Sequence, residues 1–242
     1  MSNAYYATGE QRAARVNDLF ARIARRYDLL NDLQSFGLHR IWKRRVADLA
    51  KAAPGTRALD LCCGTGDISF ALAQRGAETT GLDFSPQMLE VAARRNHKSP
   101  VPGTQNPSPK FIQGDAQQLP FPDDSFDIVT VGYGLRNLTR WERGVEEMFR
   151  VARPGARLIV LDFGKPPNAL WRTLYFKHLR LSVPLIGLLF CGNASAYAYI
   201  LESLKHYPAQ EGVAEKMRAL NFKNVQVINL LGGAMAINYG EK

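Results

Sequence analysis

Leu59-Asp60-Leu61-Cys62-Cys63-Gly64-Thr65-Gly66-Asp67 passes from apolar residues through glycines into a helical pattern, and its reading decides the fold. The pattern predicts a strand over Arg57–Leu61, a tight loop at Gly64-Thr65-Gly66 and a helix through Ala73. Glycines there let the backbone approach a ligand closely, and the free N–H groups that open a helix favour negative charge. A plain connecting loop has the same composition. A dinucleotide site would want a small residue two places after Asp67, where Ser69 fits in part.

Downstream, strands alternate with helices. Glu78–Asp83 reads as a strand, Ser85 as a helix N-cap with Pro86 in the first turn, and the helix runs to about Arg95. Lys110–Gln113 and Phe126–Val131 are the next strands, followed by a helix near Arg143–Arg150, a turn at Arg153-Pro154-Gly155 and a strand over Arg157–Phe163. Two β-like runs close the chain, Val225–Leu230 and Ala234–Tyr239, split by Gly232-Gly233. They lie too close for a crossover helix and should pair antiparallel. The alternation predicts an α/β fold, a Rossmann-like, seven-stranded doubly wound sheet with helices on both faces and a closing antiparallel hairpin.

Upstream, Val16, Leu19, Phe20, Ile23, Tyr27 and Leu30 recur at helical spacing, with Arg15, Arg22, Arg25 and Arg26 on the other face. A second helix fits Leu38–Ala52, ended by Pro54-Gly55. Residues 1–54 therefore read as an N-terminal helical cap and 55–242 as the main domain. Within the latter, 96–109, with four prolines, reads as a mobile surface insertion, and about 165–220 as a helical lid over the substrate.

Composition narrows the class. Hydrophobic residues at 46% and charged residues at 22% fit a soluble globular protein. Met1–Arg12 lacks the apolar core of a secretory signal, and Leu181–Cys191 is too short to span a bilayer and contains Pro184. Cys62, Cys63 and Cys191 offer no disulfide framework, which points to a reducing cytoplasm. No cysteine or histidine has zinc-ligand spacing, so no metal is expected. The net charge of +9 favours anionic partners, a membrane surface among them, or serves solubility alone. From Phe163 to Leu201 there is no acidic residue, while Lys165, Arg172, Lys177 and Arg180 alternate with aromatic and aliphatic side chains. Self-association is compatible with the sequence.

Asp60, Gly64, Thr65 and Gly66 in the first loop, and Asp83 at the end of the second strand, are candidate cofactor contacts. A carboxylate at Asp83 can accept from both hydroxyls of a ribose, which suits NAD and S-adenosylmethionine alike. The tie is broken by Gly114-Asp115-Ala116-Gln117-Gln118-Leu119-Pro120-Phe121-Pro122-Asp123, which resembles the class I methyltransferase pattern after the third strand. That resemblance implies that Asp115 and Ala116 face the adenine. Gly132-Tyr133-Gly134-Leu135-Arg136-Asn137 follows the fourth strand, at the sheet edge where such folds bind ligands. Its glycines give a tight backbone path beginning at Gly132, and Arg136 and Asn137 can meet a substrate. Arg136 could equally be a structural arginine paired to a carboxylate.

From about Val16 to Tyr239 the chain resembles the ubiquinone/menaquinone biosynthesis C-methyltransferases. The resemblance rests on Arg26-Tyr27-Asp28, Asn31-Asp32, Ser35-Phe36-Gly37-Leu38-His39-Arg40, Cys63-Gly64-Thr65-Gly66-Asp67, Gly134-Leu135-Arg136-Asn137 and Leu161-Asp162-Phe163-Gly164-Lys165-Pro166. It implies methyl transfer from S-adenosylmethionine to a ring carbon of a prenylated quinol, a demethylmenaquinol before a 2-polyprenyl-6-methoxybenzoquinol, with cofactor contacts at Thr65, Asp83, Asp115 and Ala116. Two departures stand out. Cys62 occupies a position that is commonly glycine, so the backbone there should avoid positive φ. The ending Ala236-Ile237-Asn238-Tyr239-Gly240 differs from the His-Arg-Gly type of many members.

Under that resemblance Arg136 would hold the developing oxyanion or an activated water, with Asn137 fixing the same region, Tyr27 and His39 would close over the ring, and His39 is a candidate base. The acid-free segment would line an apolar channel and meet an anionic bilayer at the inner membrane face. Alternatives are a methyltransferase for another small molecule or RNA, and a non-catalytic cofactor-binding scaffold. No appended RNA-binding module is visible, and no nucleic acid partner is expected.

Overall fold

The interior strand β1 (Arg57–Leu61) is buried on both faces beyond Arg57, as a strand covered on both sides must be. Leu59 and Leu61 enter a core with Leu82, Val129, Val131, Leu158 and Val160. Ala58 enters a second core with Ile128, Ile159 and Leu161. The molecule is described by a computed structural model for residues 18, 20–21, 23–98, 107–191, 201, 203–204 and 206–242.

The helices of the cap are α1 (Tyr27–Ser35) and α2 (Leu38–Ala50). Along the domain follow α3 (Asp67–Ala73), β2 (Glu78–Asp83), α4 (Pro86–Lys98), β3 (Lys110–Gln113), β4 (Phe126–Gly132), α5 (Trp141–Val151), β5 (Ala152–Phe163), α6 (Ala169–Cys191), α7 (Ala209–Ala219), β6 (Lys223–Leu230) and β7 (Met235–Glu241). The sheet order is β3-β2-β1-β4-β5-β7-β6. β1 to β5 are parallel, and β7 runs antiparallel to both β5 and β6, as the short closing connection requires. Strand order reverses between β1 and β4, and the crevice at that reversal is where open α/β sheets bind ligands.

α2 and α3 supply Trp42, Val46, Ile68 and Leu72 to the second core. A third cluster joins the N-terminal helices to α6: Ile23 and Leu30 pack with Tyr175, Leu179 and Val183 of α6, Leu204, and Ala234 before β7. These segments thus form one apolar unit.

Several boundaries differ from the sequence reading. α2 stops at Ala50, where Lys51 turns left-handed at φ 49, ahead of Pro54. The first helix is interrupted: Ala24–Arg26 is a 3-10 turn before α1. Arg153-Pro154-Gly155 is no separate turn but part of β5, where the register against β4 slips between Phe126 and Ile128 and the Gly155 N–H donates to Lys242 O. α4 runs on to Lys98, so the segment read as an insertion begins as helix, and the Asn96 amide donates to Pro109 O. Residues 99–106 of that segment, 192–200 of the lid, and Val16, Leu19 and Arg22 of the first helix lie outside the described residues.

Candidate active site

The chain leaves β1 through Cys62, which takes φ 50. This corrects the expectation that a non-glycine residue here keeps the loop out of the left-handed region. The turn is fixed from both sides: the Cys63 N–H donates to Leu82 O at 3.1 Å, and the Gly66 N–H to Cys63 O at 2.9 Å. A left-handed L-residue costs on the order of 1–2 kcal/mol, which the surrounding loop offsets. The loop after β4 leaves room for the cysteine. A Cβ on Gly134 would lie 2.3 Å from Cys62 Cβ, so only glycine fits there. Burial pushes both Cys62 and Cys63 thiols well up, which leaves them neutral and unreactive.

Asp83 ends β2 and bridges two loops. Its Oδ2 accepts the Gly64 N–H at 2.8 Å and its Oδ1 the Ser85 N–H at 2.9 Å. Each oxygen keeps a second lone pair for a ligand hydroxyl. Burial raises the Asp83 pKa, and the N–H groups oppose that rise. Next to it, the Gly114 N–H donates to Asp83 O, and the Asp115 carboxylate folds onto the Gln117 N–H at 2.8 Å in a tight turn. Asp83, Asp115, buried Ala116, Gly64, Gly132, Gly134 and Asn137 line one cleft. Among its described lining residues the only charged ones are Asp83 and Asp115. Two carboxylates without a cation suit a positively charged sulfonium nucleoside and repel a pyrophosphate. That separates S-adenosylmethionine from the dinucleotide that Gly64 and Asp83 left open.

Three of the expected cofactor residues also have structural partners. Asp60 is buried beneath the loop, accepting from Ser69 Oγ at 2.6 Å and Thr130 Oγ1 at 2.8 Å, and burial lifts its pKa to about 6. Thr65 lines a small pocket beside the cleft, with Asp60, Gly64 and Tyr133, and donates to Asp28 Oδ1 at 2.8 Å. Gly66 opens α3 at φ 89, where a Cβ would strike Phe70 and Phe111. Thr65 belongs to a clamp the sequence reading missed. Arg95 reaches Thr65 O, Asp28 and Asp67, and Lys43 reaches Asp67 at 2.8 Å. Its members come from α1, α2, α3 and α4, so no linear spacing marks it.

Behind the cleft lies a second, larger space of about 460 Å³, against about 120 Å³ for the first. Phe20, Tyr27 and Tyr133 line both and form their common wall. Its lining includes the buried His39 and Arg136, with Asn31, Gln34 and Tyr133, and its exposed lining is the apolar Leu33, Phe36, Trp171 and Leu231. Tyr133 is held at φ 61, in a conformation rare for an aromatic residue. Burial carries its hydroxyl pKa well up, so it is a neutral donor.

Arg136 is both wall and structure. Its Nε lies 3.2 Å from Asp162 Oδ1, its own N–H donates to Asp162 Oδ2, Nη1 reaches Asn137 Oδ1 at 2.8 Å and Ser203 Oγ at 3.3 Å, and the guanidinium sits 4.8 Å from the Phe163 ring centre. Burial raises the Asp162 pKa and Arg136 opposes it. Arg136 faces the larger space and Asn137 the cleft, so the expected pair spans the wall between them. His39 also lines the larger space, with Nε2 2.9 Å from Asp32 Oδ1. Among the described residues no group of three His, Cys, Asp or Glu side chains is arranged to hold a metal ion.

The sequence pattern of the ubiE/COQ5 methyltransferase family matches residues 7–242. Ubiquinone/menaquinone biosynthesis C-methyltransferase UbiE of Azotobacter vinelandii is 39% identical over 96% of this chain and 91% of its own. The demethylmenaquinone methyltransferases of Desulfitobacterium hafniense and Thermus thermophilus are 40% and 41% identical, over 97% and 93% of this chain and 92% and 100% of theirs. Among solved structures, an S-adenosylmethionine-dependent methyltransferase of Thermotoga maritima, titled a possible histamine N-methyltransferase, superposes with a TM-score of 0.64 at 18% identity, covering 94% of this chain and 99% of that one. One from Aquifex aeolicus gives 0.57 at 17%, over 82% and 88%. These two share the fold.

Proposed function

The chain belongs to the ubiE/COQ5 methyltransferase family and is an S-adenosylmethionine-dependent C-methyltransferase, and from that premise we propose that the larger space holds a prenylated quinol, demethylmenaquinol first and a 2-polyprenyl-6-methoxybenzoquinol second. One observation carries the reading: a chamber with a polar inner end and an apolar mouth shares a wall with the cofactor cleft. A quinol head needs the polar end and a prenyl tail needs the apolar mouth.

When bound, the cofactor supplies a methyl group on a positively charged sulfur. Asp83 would hold the ribose hydroxyls, the Asp115-Ala116 turn would face the adenine, and Gly64 and Gly132 leave room for the backbone to approach. Tyr27 and Tyr133 set the head group against the cleft. Arg136, its charge shared with Asp162, stabilises negative charge on the quinol oxygen, and Asn137 fixes its guanidinium. Residues 1–54 act as the cap, and the segment from about 165 to 220 as the lid.

The mouth suits a membrane surface. Phe36 is 86% exposed, and α6 exposes Leu170, Leu174, Leu181, Leu185 and Leu188 beside Arg172, Lys177 and Arg180. No described helix is long and apolar enough to cross a membrane. A face with that composition suits lying on an anionic bilayer, with the mouth open to the lipid.

The test is to incubate the protein with methyl-labelled cofactor and, separately, reduced demethylmenaquinol, reduced demethylated benzoquinol and RNA. Label in a quinol, and not in RNA, is the expected result. Label in RNA alone would overturn the reading.

A further inference from the structure

Of the buried side-chain nitrogen and oxygen atoms without a hydrogen-bond partner among the described residues, four belong to the chamber: Asn31 Nδ2, Gln34 Nε2, His39 Nδ1 and the Tyr133 hydroxyl. Burying polar groups unpaired is costly, so such a cluster marks a place where a ligand completes the bonding. Three of the four can donate. The fourth is a histidine nitrogen, and its neighbours determine what it can do.

Asp32 accepts Arg40 Nε on Oδ1 and Arg40 Nη2 on Oδ2, each at 2.7 Å, and its Oδ1 also lies 2.9 Å from His39 Nε2. Arg40 and His39 hold the Asp32 carboxyl below its usual range, so it is ionised and can only accept. The proton of a neutral His39 must therefore sit on Nε2, and the lone pair on Nδ1. Burial, with Lys43 nearby, lowers the His39 pKa although Asp32 and Asp67 oppose it, so the ring is a free base at neutral pH.

We propose that Asp32 and His39 form the proton-accepting dyad of the chamber, with His39 Nδ1 taking the hydroxyl proton of the bound quinol and Asp32 fixing the tautomer that makes this possible. The proposal rests on the quinol reading above. The hydroxyl O–H bond breaks, its electron pair stays on oxygen and enriches the ring, and an N–H bond forms at Nδ1. When the methylated carbon gives its own proton to water and the ring becomes aromatic again, His39 returns the proton it took. His39 is the catalytic residue here, and Asp32 a positioning residue.

The charged and titratable groups around the dyad are Arg40 and Lys43 on the helix of His39, Asp67 at the start of α3, and, lining the chamber, Tyr27, Tyr133, Arg136, Tyr175 and His178. Tyr133 stays protonated and Arg136 stays charged, so neither competes as the acceptor.

The test compares wild type, H39Q and D32N with the quinol that wild type labels. H39Q should lose about 100-fold in kcat with cofactor affinity unchanged, and the acid limb of its pH profile should disappear. D32N should lose about 10-fold, with its acid limb moved to lower pH because Asp32 raises the basicity of His39; a merely structural role would not move that limb. A folded H39Q with wild-type rate and pH profile overturns the dyad while leaving the function intact. A wild type that labels no quinol overturns the functional reading and the dyad's role with it. Nitrogen-15 histidine spectra of the wild-type protein give a readout free of activity and of mutant folding: His39 should be neutral and protonated on Nε2, and protonation on Nδ1 overturns the proposal.

Discussion

Thr65 Oγ1 donates to Asp28 Oδ1 across 2.8 Å, and that bond joins the cofactor loop to the helical cap. Thr65→Val removes the donor and keeps the shape. A hydrogen bond to a charged acceptor contributes about 1.5–3 kcal/mol. Calorimetric titration should show cofactor affinity falling by roughly tenfold. Unchanged affinity would mean that the cap does not brace the loop.

Arg136 and Asp162 form a buried pair, so removing one member strands the other's charge. Asp162→Asn should lower unfolding stability by about 3–5 kcal/mol in urea titrations. Arg136→Ala should reduce turnover more than cofactor affinity. Arg136→Lys should not restore turnover, because a lysine lacks the planar fork that meets Asp162 and Asn137 together. Recovery with lysine would reduce the arginine to a point charge.

Gly134→Ala should fail through one contact, the 2.3 Å approach to Cys62 Cβ. The single variant is expected to unfold at markedly lower temperature and to bind cofactor poorly. Cys62→Gly removes the obstructing atoms and also suits φ 50. The double variant should therefore be more stable than Gly134→Ala alone, a coupling of about 1–3 kcal/mol by a double-mutant cycle. Additive effects would sink the explanation.

Stability should depend on pH in two opposite ways. The Asp67 pKa lies below its ordinary 3.8: burial pushes it up, but Lys43 and Arg95 outweigh that. Its contribution is present above pH 3.8 and is lost as pH falls through its lowered folded pKa. Asp60, raised from 3.8 to about 6 by burial, contributes below pH 3.8 and loses that contribution as pH rises through 6. The loss is on the order of 3 kcal/mol. Urea titrations from pH 4 to 8 should find a decline between 4 and 6 that Asp60→Asn abolishes.

Much of this was legible in the sequence. The strand at Arg57–Leu61 announced itself because a buried parallel strand is a short apolar run between turn residues, while Glu78–Asp83 and the edge strand Lys110–Gln113 followed from the alternation with helices. The closing hairpin followed from a gap too short for a crossover. The left-handed Cys62 did not, since a residue's φ is imposed there by the β1 exit and by the Cys63 bond to Leu82. The clamp of Asp28, Thr65, Asp67 and Arg95 did not either, because four elements supply it. Nor did the chamber, whose polar residues on α1 alternate with apolar ones as on any amphipathic helix.

The membrane-facing reading predicts binding to vesicles. Co-sedimentation with anionic liposomes should weaken by about fivefold for each of Lys177 and Arg180 replaced by glutamine, and should fall with added salt. Binding indifferent to salt and to anionic lipid would remove that role from α6.

On the proposed reading, the wall of Phe20, Tyr27 and Tyr133 would also separate the traffic of the two ligands. Exposed Phe84 lines the cleft and exposed Phe36 and Leu231 line the chamber, so on the proposed reading the two ligands would have separate doors. Spent cofactor could be exchanged from the aqueous side while a long tail stays threaded through the other. The slow step of a cycle would then be the escape of the heavier, tailed product. Turnover would be limited by how readily the surrounding lipid takes it back.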